Sequence, residues 1–360
     1  MSTYSQSGVA RGASIVIASL ITGYALYWLR GILTPLALAL FLMVMIDGVA
    51  RFLARRAPFL PEPLVLPVAL LLSGSAVAAT VYVVAGNGAA FAGQLVGAAP
   101  RFNVLIAQIA GLFGLAVPPT IQDLVNQLNP SAYLGTVAAS LQSFAGGAMY
   151  VMIYLGFLIA SRAGFAKKAK SLYPDTAERE QAAAIFERIR DGIERYLWIQ
   201  TITGALIAFL SWAVMAAVGL DNALFWAFVI FVVCFIPVIG GIIAGFLPPL
   251  FALVEFTTWW QAGVLFAGLQ IILFVVGNVV LPRMQRDSLN IDPVVVLLSL
   301  ALWGAIWGIP GMFLSTPLTV MAIIILAQFD GSRWIAVLLS GDGEPEGAAG
   351  TAPPRSPAAT

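Results

Sequence analysis

Long apolar runs separated by short polar stretches are the main pattern along this chain of 360 residues. A helix needs about 20 predominantly apolar residues to cross the hydrocarbon core of a membrane. Eight hydrophobic segments approach or exceed this length, at 13–29, 32–50, 64–86, 142–161, 197–218, 223–254, 261–281 and 293–327. The pattern therefore predicts an all-α integral membrane protein with one transmembrane domain over residues 1–340.

Composition supports this prediction, since 60% of the residues are hydrophobic and only 10% are charged. A soluble domain carries about 25% charged residues and could not bury so much apolar surface. The formal net charge of +1 gives no reason to expect a nucleic-acid partner. Residues 1–12 lack the features of a signal peptide, so the first apolar run is interpreted as a retained span.

The residue types restrict the chemistry that this chain is expected to perform. The sequence has no histidine, and its single cysteine, Cys234, lies in an apolar run. A histidine-ligated metal, a histidine general base and an intramolecular disulfide are therefore excluded. We find no catalytic pair and no phosphate-binding loop ending in Gly-Lys-Ser/Thr. The sequence thus predicts a protein that is not an enzyme and has no metal or cofactor.

Basic residues predict the orientation, because lysine and arginine are held on the cytoplasmic side during insertion. They follow the second and fourth segments, at Arg51, Arg55, Arg56, Arg162, Lys167, Lys168 and Lys170. Both loops should be cytoplasmic, as should the two termini. Residues 87–141 should be external and should form short amphipathic helices, since prolines divide this stretch into pieces too short to cross the membrane.

The predicted cytoplasmic loop 162–196 contains an amphipathic helix within 175–196, where apolar residues recur at helical spacing. Arg190 and Glu194, and Asp191 and Arg195, are spaced for i,i+4 ion pairs on its polar side. The helix is interpreted either as a regulatory lever or as a surface helix leading into the fifth span, and the second is favoured. Residues 341–360 are rich in Gly, Ala and Pro and predict a disordered cytoplasmic tail.

Two segments, 223–254 and 293–327, are longer than one span and are interrupted by proline and glycine. Each half of the first has about 14 to 17 residues, or roughly 21 to 26 Å, which is short of a 30 Å hydrocarbon core. A re-entrant hairpin fits this length better than two crossings. It also places Arg283 and Arg286 inside. We therefore predict six full spans plus two re-entrant hairpins that enter from opposite faces.

The interruptions also predict a site, because paired broken segments indicate where a transporter binds its substrate or ion. Unpaired backbone at membrane depth is tolerated only inside protein or beside a wet cavity. The predicted pathway residues of the first segment are Pro237, Gly240, Gly241, Pro248 and Pro249. Those of the second are Gly308, Pro310, Gly311 and Pro317, and Asn278 and Asp292 are expected to add side-chain contacts or ion coordination. The alternative is that these residues only kink packed helices.

Two stretches carry a family resemblance: FIPVIGGIIAGFLPPLFAL from residue 235, and NVVLPRMQRDSLNIDPVVVLLSLALWGAIWGIPGMFLSTPLTVMAIIIL from residue 278. They closely resemble the C-terminal half of the autoinducer-2 exporter family of bacterial permeases. The order of the segments also matches, over roughly residues 10–340. The resemblance implies a multi-pass inner-membrane transporter that forms a homo-oligomer, with a pentamer as the expected form. Members are linked to autoinducer-2 export and to sodium/proton antiport.

The functional prediction is a permease that moves a small hydrophilic metabolite or signal molecule out of the cell, passively or driven by an ion gradient. One alternative is a sodium (cation)/proton antiporter, which needs a titrating carboxylate, with Asp292 as the candidate. A second alternative is a non-transporting membrane scaffold that uses its interrupted segments only for packing. The sequence alone leaves these alternatives open.

Overall fold

The computed structural model describes residues 6–57, 61–75, 104, 146–162, 164, 168, 171–172, 175–285, 291–329 and 331–344. No strand occurs among these residues, so the predicted all-α class is confirmed for the described part of the chain. The helices, numbered in the order described, are α1 Gln6–Trp28, α2 Arg30–Arg56, α3 Glu62–Ser75, α4 Gly146–Arg162, α5 Thr176–Val218, α6 Ala223–Val233, α7 Ile239–Glu255, α8 Trp260–Val275, α9 Pro293–Trp307, α10 Ile309–Ala327 and α11 Arg333–Leu339. A π-helical turn, Val276–Val280, and a last turn, Leu281–Gln285, continue α8.

Four of these helices are long and apolar enough to cross a membrane: α2, α5, α10 and the continuous stretch Trp260–Met284. Large apolar side chains also face outward on other helices, including Leu20 on α1 and Phe157 on α4, each 69% exposed. Such exposed apolar surface requires lipid or another apolar partner around it. The protein is therefore a multi-pass membrane protein, as predicted. The predicted external segment 87–141, apart from Val104, and tail residues 345–360 lie outside the described residues.

Helix α5 joins two elements that the sequence analysis treated separately. Its 43 residues contain both the amphipathic stretch and the fifth apolar segment. The helix begins at Asp175, whose side chain accepts a hydrogen bond from the Ala177 amide at 3.0 Å, and ends at Gly219 in the left-handed conformation. At 1.5 Å per residue it is about 65 Å long, more than twice the thickness of a hydrocarbon core. The amphipathic stretch therefore leads directly into the apolar one.

The same helix is the centre of the packing, since it contacts α2, α6, α8 and α10. One buried cluster lies mainly on α5, α6, α7 and α8 and includes Met215, Ile230 and Leu265. A second joins α2 and α5 to α9 and α10 through Phe41, Tyr196 and Leu314. A third holds α2 against α3 and α4. The two interrupted segments are thus packed on one long helix.

Candidate functional site

The first interrupted segment folds back on itself. The backbone amide of Asp221, before α6, donates to Oε1 of Glu255 at the end of α7, with an N–O distance of 2.7 Å. Further along, the rings of Trp226 and Phe251 have centroids 5.6 Å apart. The start of α6 therefore lies beside the end of α7, and the two helices are antiparallel. We call α6, α7 and the turn Cys234–Val238 the first hairpin.

The turn of the first hairpin is tight and strained. Val238 has φ 64° and ψ −54°, and the Ile239 amide donates to the Pro237 carbonyl at 2.6 Å. This is the geometry of a γ-turn of the rare kind, which is costly for a β-branched residue. A Cβ added at Gly240 would overlap the Val233 carbonyl oxygen, so the close approach of the two helices requires glycine. Pro237 is half-buried in this turn, and Gly241 is exposed.

The second interrupted segment also folds back, at the single residue Gly308. Its φ of 68° and ψ of −143° are conformations that glycine adopts readily. Across the turn, the Trp303 indole N–H donates to Oγ1 of Thr319 at 3.3 Å. A Cβ added at Gly311 would overlap the Trp303 carbonyl oxygen. We call α9, Gly308 and α10 the second hairpin. Pro310 is half-buried in the first turn of α10.

The two turns meet on α5. The ring of Phe235 in the first hairpin stacks on that of Phe313 in the second, with centroids 5.0 Å apart and planes 19° apart. The side chain of Gln200 on α5 donates from Nε2 to the carbonyl oxygen of Cys234. That carbonyl belongs to the interrupted backbone, which needs partners at membrane depth. Gln200, Cys234, Phe235, Phe313 and the adjoining turn residues form the candidate site.

Uncharged polar side chains continue from this site along the facing parts of α5 and α10. We call them the hydroxyl band: Tyr196, Thr203, Ser315, Thr316 and Thr319, all buried. The hydroxyl of Thr203 donates to the Ile199 carbonyl at 2.7 Å, and the hydroxyl of Ser315 donates to the Met312 carbonyl at 2.8 Å. Because Thr203 and Ser315 donate within their own helices, their hydroxyl oxygens keep acceptor capacity.

Three of the predicted prolines lie within helices and outside the turns. Pro248 and Pro249 are buried inside α7, and Pro317 is buried inside α10. From Val238 to Pro248, and from Gly308 to Pro317, the chain rises roughly 14 to 15 Å along each helix. The prolines of both hairpins therefore lie at similar distances from their turns. Their burial makes these three prolines part of the packed helices.

The structure gives Asn278 and Asp292 hydrogen-bond partners close in sequence and places Asp292 far from the turn of its own hairpin. Asn278 is exposed in the π-helical turn, and its amide donates to the Phe274 carbonyl at 2.9 Å. Asp292 precedes α9, and its Oδ1 accepts from the Val294 amide at 2.7 Å. Since α9 has 15 residues, Asp292 is about 22 Å from the turn of its hairpin. Asp292 thus has a clear role as a helix cap.

Sequence reasoning missed Gln200 and several charged contacts. A glutamine inside the apolar stretch WIQTITGALIAFL was an available signal, because an amide at membrane depth needs partners. Asp47, near the end of α2, pairs with Arg162 of α4, and its side chain is only 15% exposed. Glu194 pairs with Arg51 of α2, where the spacing had predicted Arg190 as its partner. Arg190 pairs with the neighbouring Asp191.

Comparison with known proteins places this architecture among transporters. The family model described as AI-2E family transporter matches residues 15–331. The chain is 27% identical over 314 residues to the AI-2 transport protein TqsA of Escherichia coli strain K12, covering 86% of this chain and 89% of the relative. It is 26% identical over 323 residues to the putative transport protein YhhT of the same organism, covering 88% and 89%. A putative transport protein of Haemophilus influenzae is 29% identical over 255 residues, covering 67% of this chain and 72% of the relative.

Proposed function

The chain belongs to the AI-2E transporter family, and from that premise we propose that it exports a small hydrophilic metabolite or signal molecule across the bacterial inner membrane. The name of its relative TqsA makes autoinducer-2 the first substrate to test. Transport is passive or driven by an ion gradient. In this proposal six helices cross the membrane, the two hairpins enter from opposite faces, the termini are cytoplasmic and the chain works as a homo-oligomer.

The observation that carries this proposal is the meeting of the two interrupted hairpins on α5. Helix α6 has 11 residues and is about 16 Å long, which is too short to cross a bilayer. Its turn therefore brings non-helical backbone into the depth of the protein, where Gln200 satisfies one carbonyl. Non-helical backbone at such depth is typical of substrate sites in transporters. The hydroxyl band supplies further uncharged acceptors for a hydrophilic solute.

A flux assay on the purified full chain tests the proposal. Liposomes containing the protein are loaded with autoinducer-2, and its release is compared with that from protein-free liposomes. We expect release to fall at least several-fold in Gln200→Ala, because a substrate-facing carbonyl loses its partner. Gln328→Ala is the matched control, since the Gln328 amide bonds within its own helix to Ile324. The scaffold alternative would instead be favoured if release equals that from protein-free liposomes, both for autoinducer-2 and for a panel of small polar metabolites.

The antiporter alternative depends on a carboxylate that gains and loses a proton during transport. Asp292 is the candidate named by the sequence, but its carboxylate caps α9 at the hairpin's far end. We therefore expect Asp292→Asn to keep sodium flux under an imposed pH gradient at the level of the unmodified chain. If wild-type protein couples sodium to protons and Asp292→Asn abolishes that coupling, the antiporter alternative replaces the export proposal.

A further inference from the structure

A charged cavity of about 710 Å³ lies at the ends of α2, α3 and α4, against the side of α5. Its ionisable lining residues are Asp47, Arg51, Glu62, Arg162 and Arg190. Its volume is within the range of small-molecule sites, roughly 300 to 1,000 Å³. The turns of the two hairpins contribute no residue to this lining, so the cavity is separate from the candidate transport site. We propose that it binds the head group of a zwitterionic phospholipid, phosphatidylethanolamine.

The position of the cavity corresponds to the boundary between lipid and water. Apolar helix α2 ends in Arg55 and Arg56, α3 begins at Glu62, and α4 ends at Arg162. Charges at the ends of apolar helices mark the level of the lipid head groups. Exposed apolar side chains continue from the lining: Leu64, next to Pro63 and Val65, is 50% exposed, and Phe52, next to Arg51, is 49% exposed. A head group in the cavity would have its acyl chains beside this surface.

The ionisable side chains that line the cavity are of two kinds: some are neutralised in ion pairs, and others can interact with a ligand. Arg162 is paired with Asp47, and Arg51 with Glu194, so these four side chains largely neutralise one another. Within the described part of the chain, the ion pair of Arg190 is with its sequence neighbour Asp191, whose side chain is 65% exposed, and such surface pairs are weak. Glu62 is an exposed carboxylate with no ion-pair partner among the described residues. One carboxylate and one loosely held guanidinium therefore face the same cavity.

This pair of groups favours a ligand that carries both charges. A guanidinium binds phosphate oxygens through charge-assisted hydrogen bonds, and a carboxylate accepts hydrogen bonds from a primary ammonium group. Phosphatidylethanolamine has both groups two carbons apart. Phosphatidylglycerol has the phosphate without the ammonium. The remaining walls are apolar, formed by Ala50, Ala54, Pro63, Val65 and Leu66, which favours a lipid over free phosphoethanolamine.

Lipid binding by the purified full chain tests this inference. The protein in dodecyl maltoside is titrated with phosphatidylethanolamine or phosphatidylglycerol, and bound lipid is counted by native mass spectrometry. We expect the wild-type chain to prefer phosphatidylethanolamine about fivefold, the upper range for one exposed ion pair. Glu62→Gln should remove this preference and leave phosphatidylglycerol binding unchanged. Arg190→Gln should weaken the binding of both lipids about tenfold, as for one charge-assisted hydrogen bond.

Glu187→Gln and Arg188→Gln are matched controls, because both residues lie on α5 and neither lines the cavity. Both should bind lipid as the wild-type chain does. Equal wild-type binding of the two lipids would overturn the inference, as would the same loss of binding in the control variants. Free phosphoethanolamine that displaces the lipid at equal concentration would also overturn it, by showing a site for a soluble solute. None of these readouts depends on transport.

Discussion

The two hairpins have the same architecture and different supports. In each, a residue with positive φ precedes the outgoing helix: Val238 in the first hairpin and Gly308 in the second. In each, a glycine in the outgoing helix lies against a carbonyl of the incoming helix, Gly240 against Val233 and Gly311 against Trp303. The first hairpin, however, uses a strained valine and a five-residue turn, whereas the second turns at one glycine.

The difference shows where each turn obtains its stability. The second hairpin is held by a contact within itself, from Trp303 to Thr319, and by one to α1, where the Trp307 indole N–H donates to the Leu26 carbonyl at 3.2 Å. The described side-chain hydrogen bond that supports the first turn comes from Gln200 on α5. A valine in a sparsely populated conformation costs about 1 to 3 kcal/mol and persists only when its surroundings hold it. The first turn thus depends on α5, and its geometry can respond to changes on that helix.

The largest effect is expected from the close approaches that both hairpins share. In Gly311→Ala and Gly240→Ala the new Cβ would meet a backbone carbonyl, which cannot move as a flexible side chain can. We expect each variant to lose on the order of 3 to 5 kcal/mol of stability, or to fail to accumulate. Thermal unfolding in detergent measures the loss. Gly263→Ala on α8, where the Cβ would meet open space, is the control and should be close to neutral.

The next effect sharpens the contrast between the hairpins. Gln200→Ala leaves the Cys234 carbonyl without its side-chain donor and should destabilise the chain by about 1 to 3 kcal/mol. Because the first hairpin contains this carbonyl, hydrogen exchange should increase at residues 234–242 and stay unchanged at 304–312. Equal increases in both turns would contradict the claim that the Gln200 contact supports the first turn specifically.

A smaller effect tests the contact that joins the two turns. The stacked rings of Phe235 and Phe313 should couple the hairpins by about 0.5 to 1.5 kcal/mol. A double-mutant cycle with Phe235→Leu and Phe313→Leu isolates this energy from the loss of each ring's other contacts. Phe246 and Phe266, 5.5 Å apart on α7 and α8, provide a comparison cycle outside the turns. Additive effects for Phe235 and Phe313 would mean that the hairpins are not coupled through these rings.

The smallest effect is expected from Val238→Gly, and Gly308→Val is its counterpart at the positive-φ residue of the other turn. Val238→Gly relieves the strained conformation but increases the freedom of the unfolded chain, so stability should rise by about 1 kcal/mol or less. Gly308→Val should do the reverse and lower stability by more than 1 kcal/mol, because a β-branched residue would then occupy φ 68°. The unfolding midpoints of the two variants show whether each substitution raises or lowers the stability. A drop in both would show that Val238 is not strained.

The local part of this architecture could be predicted from the sequence. The interruptions at Pro237–Gly241 and Gly308–Gly311 depend on the backbone limits of proline and glycine, and these act over a few residues. The folding back of both segments followed from their length and these interruptions. The predicted pathway also included Asn278 and Asp292. The structure gives each a local hydrogen bond, to Phe274 and Val294, and their part in transport stays a prediction.

By itself, the sequence determined the helices, their apolar lengths and the points at which two of them break, because periodicity, hydrophobicity and backbone sterics are properties of neighbouring residues. Only the tertiary structure decided which side chain contacts the interrupted backbone and which charged residues pair. The contact of Gln200 with Cys234 joins residues 34 positions apart, and that of Asp47 with Arg162 joins residues 115 apart. Such pairs depend on how whole helices pack against one another, which no local pattern specifies.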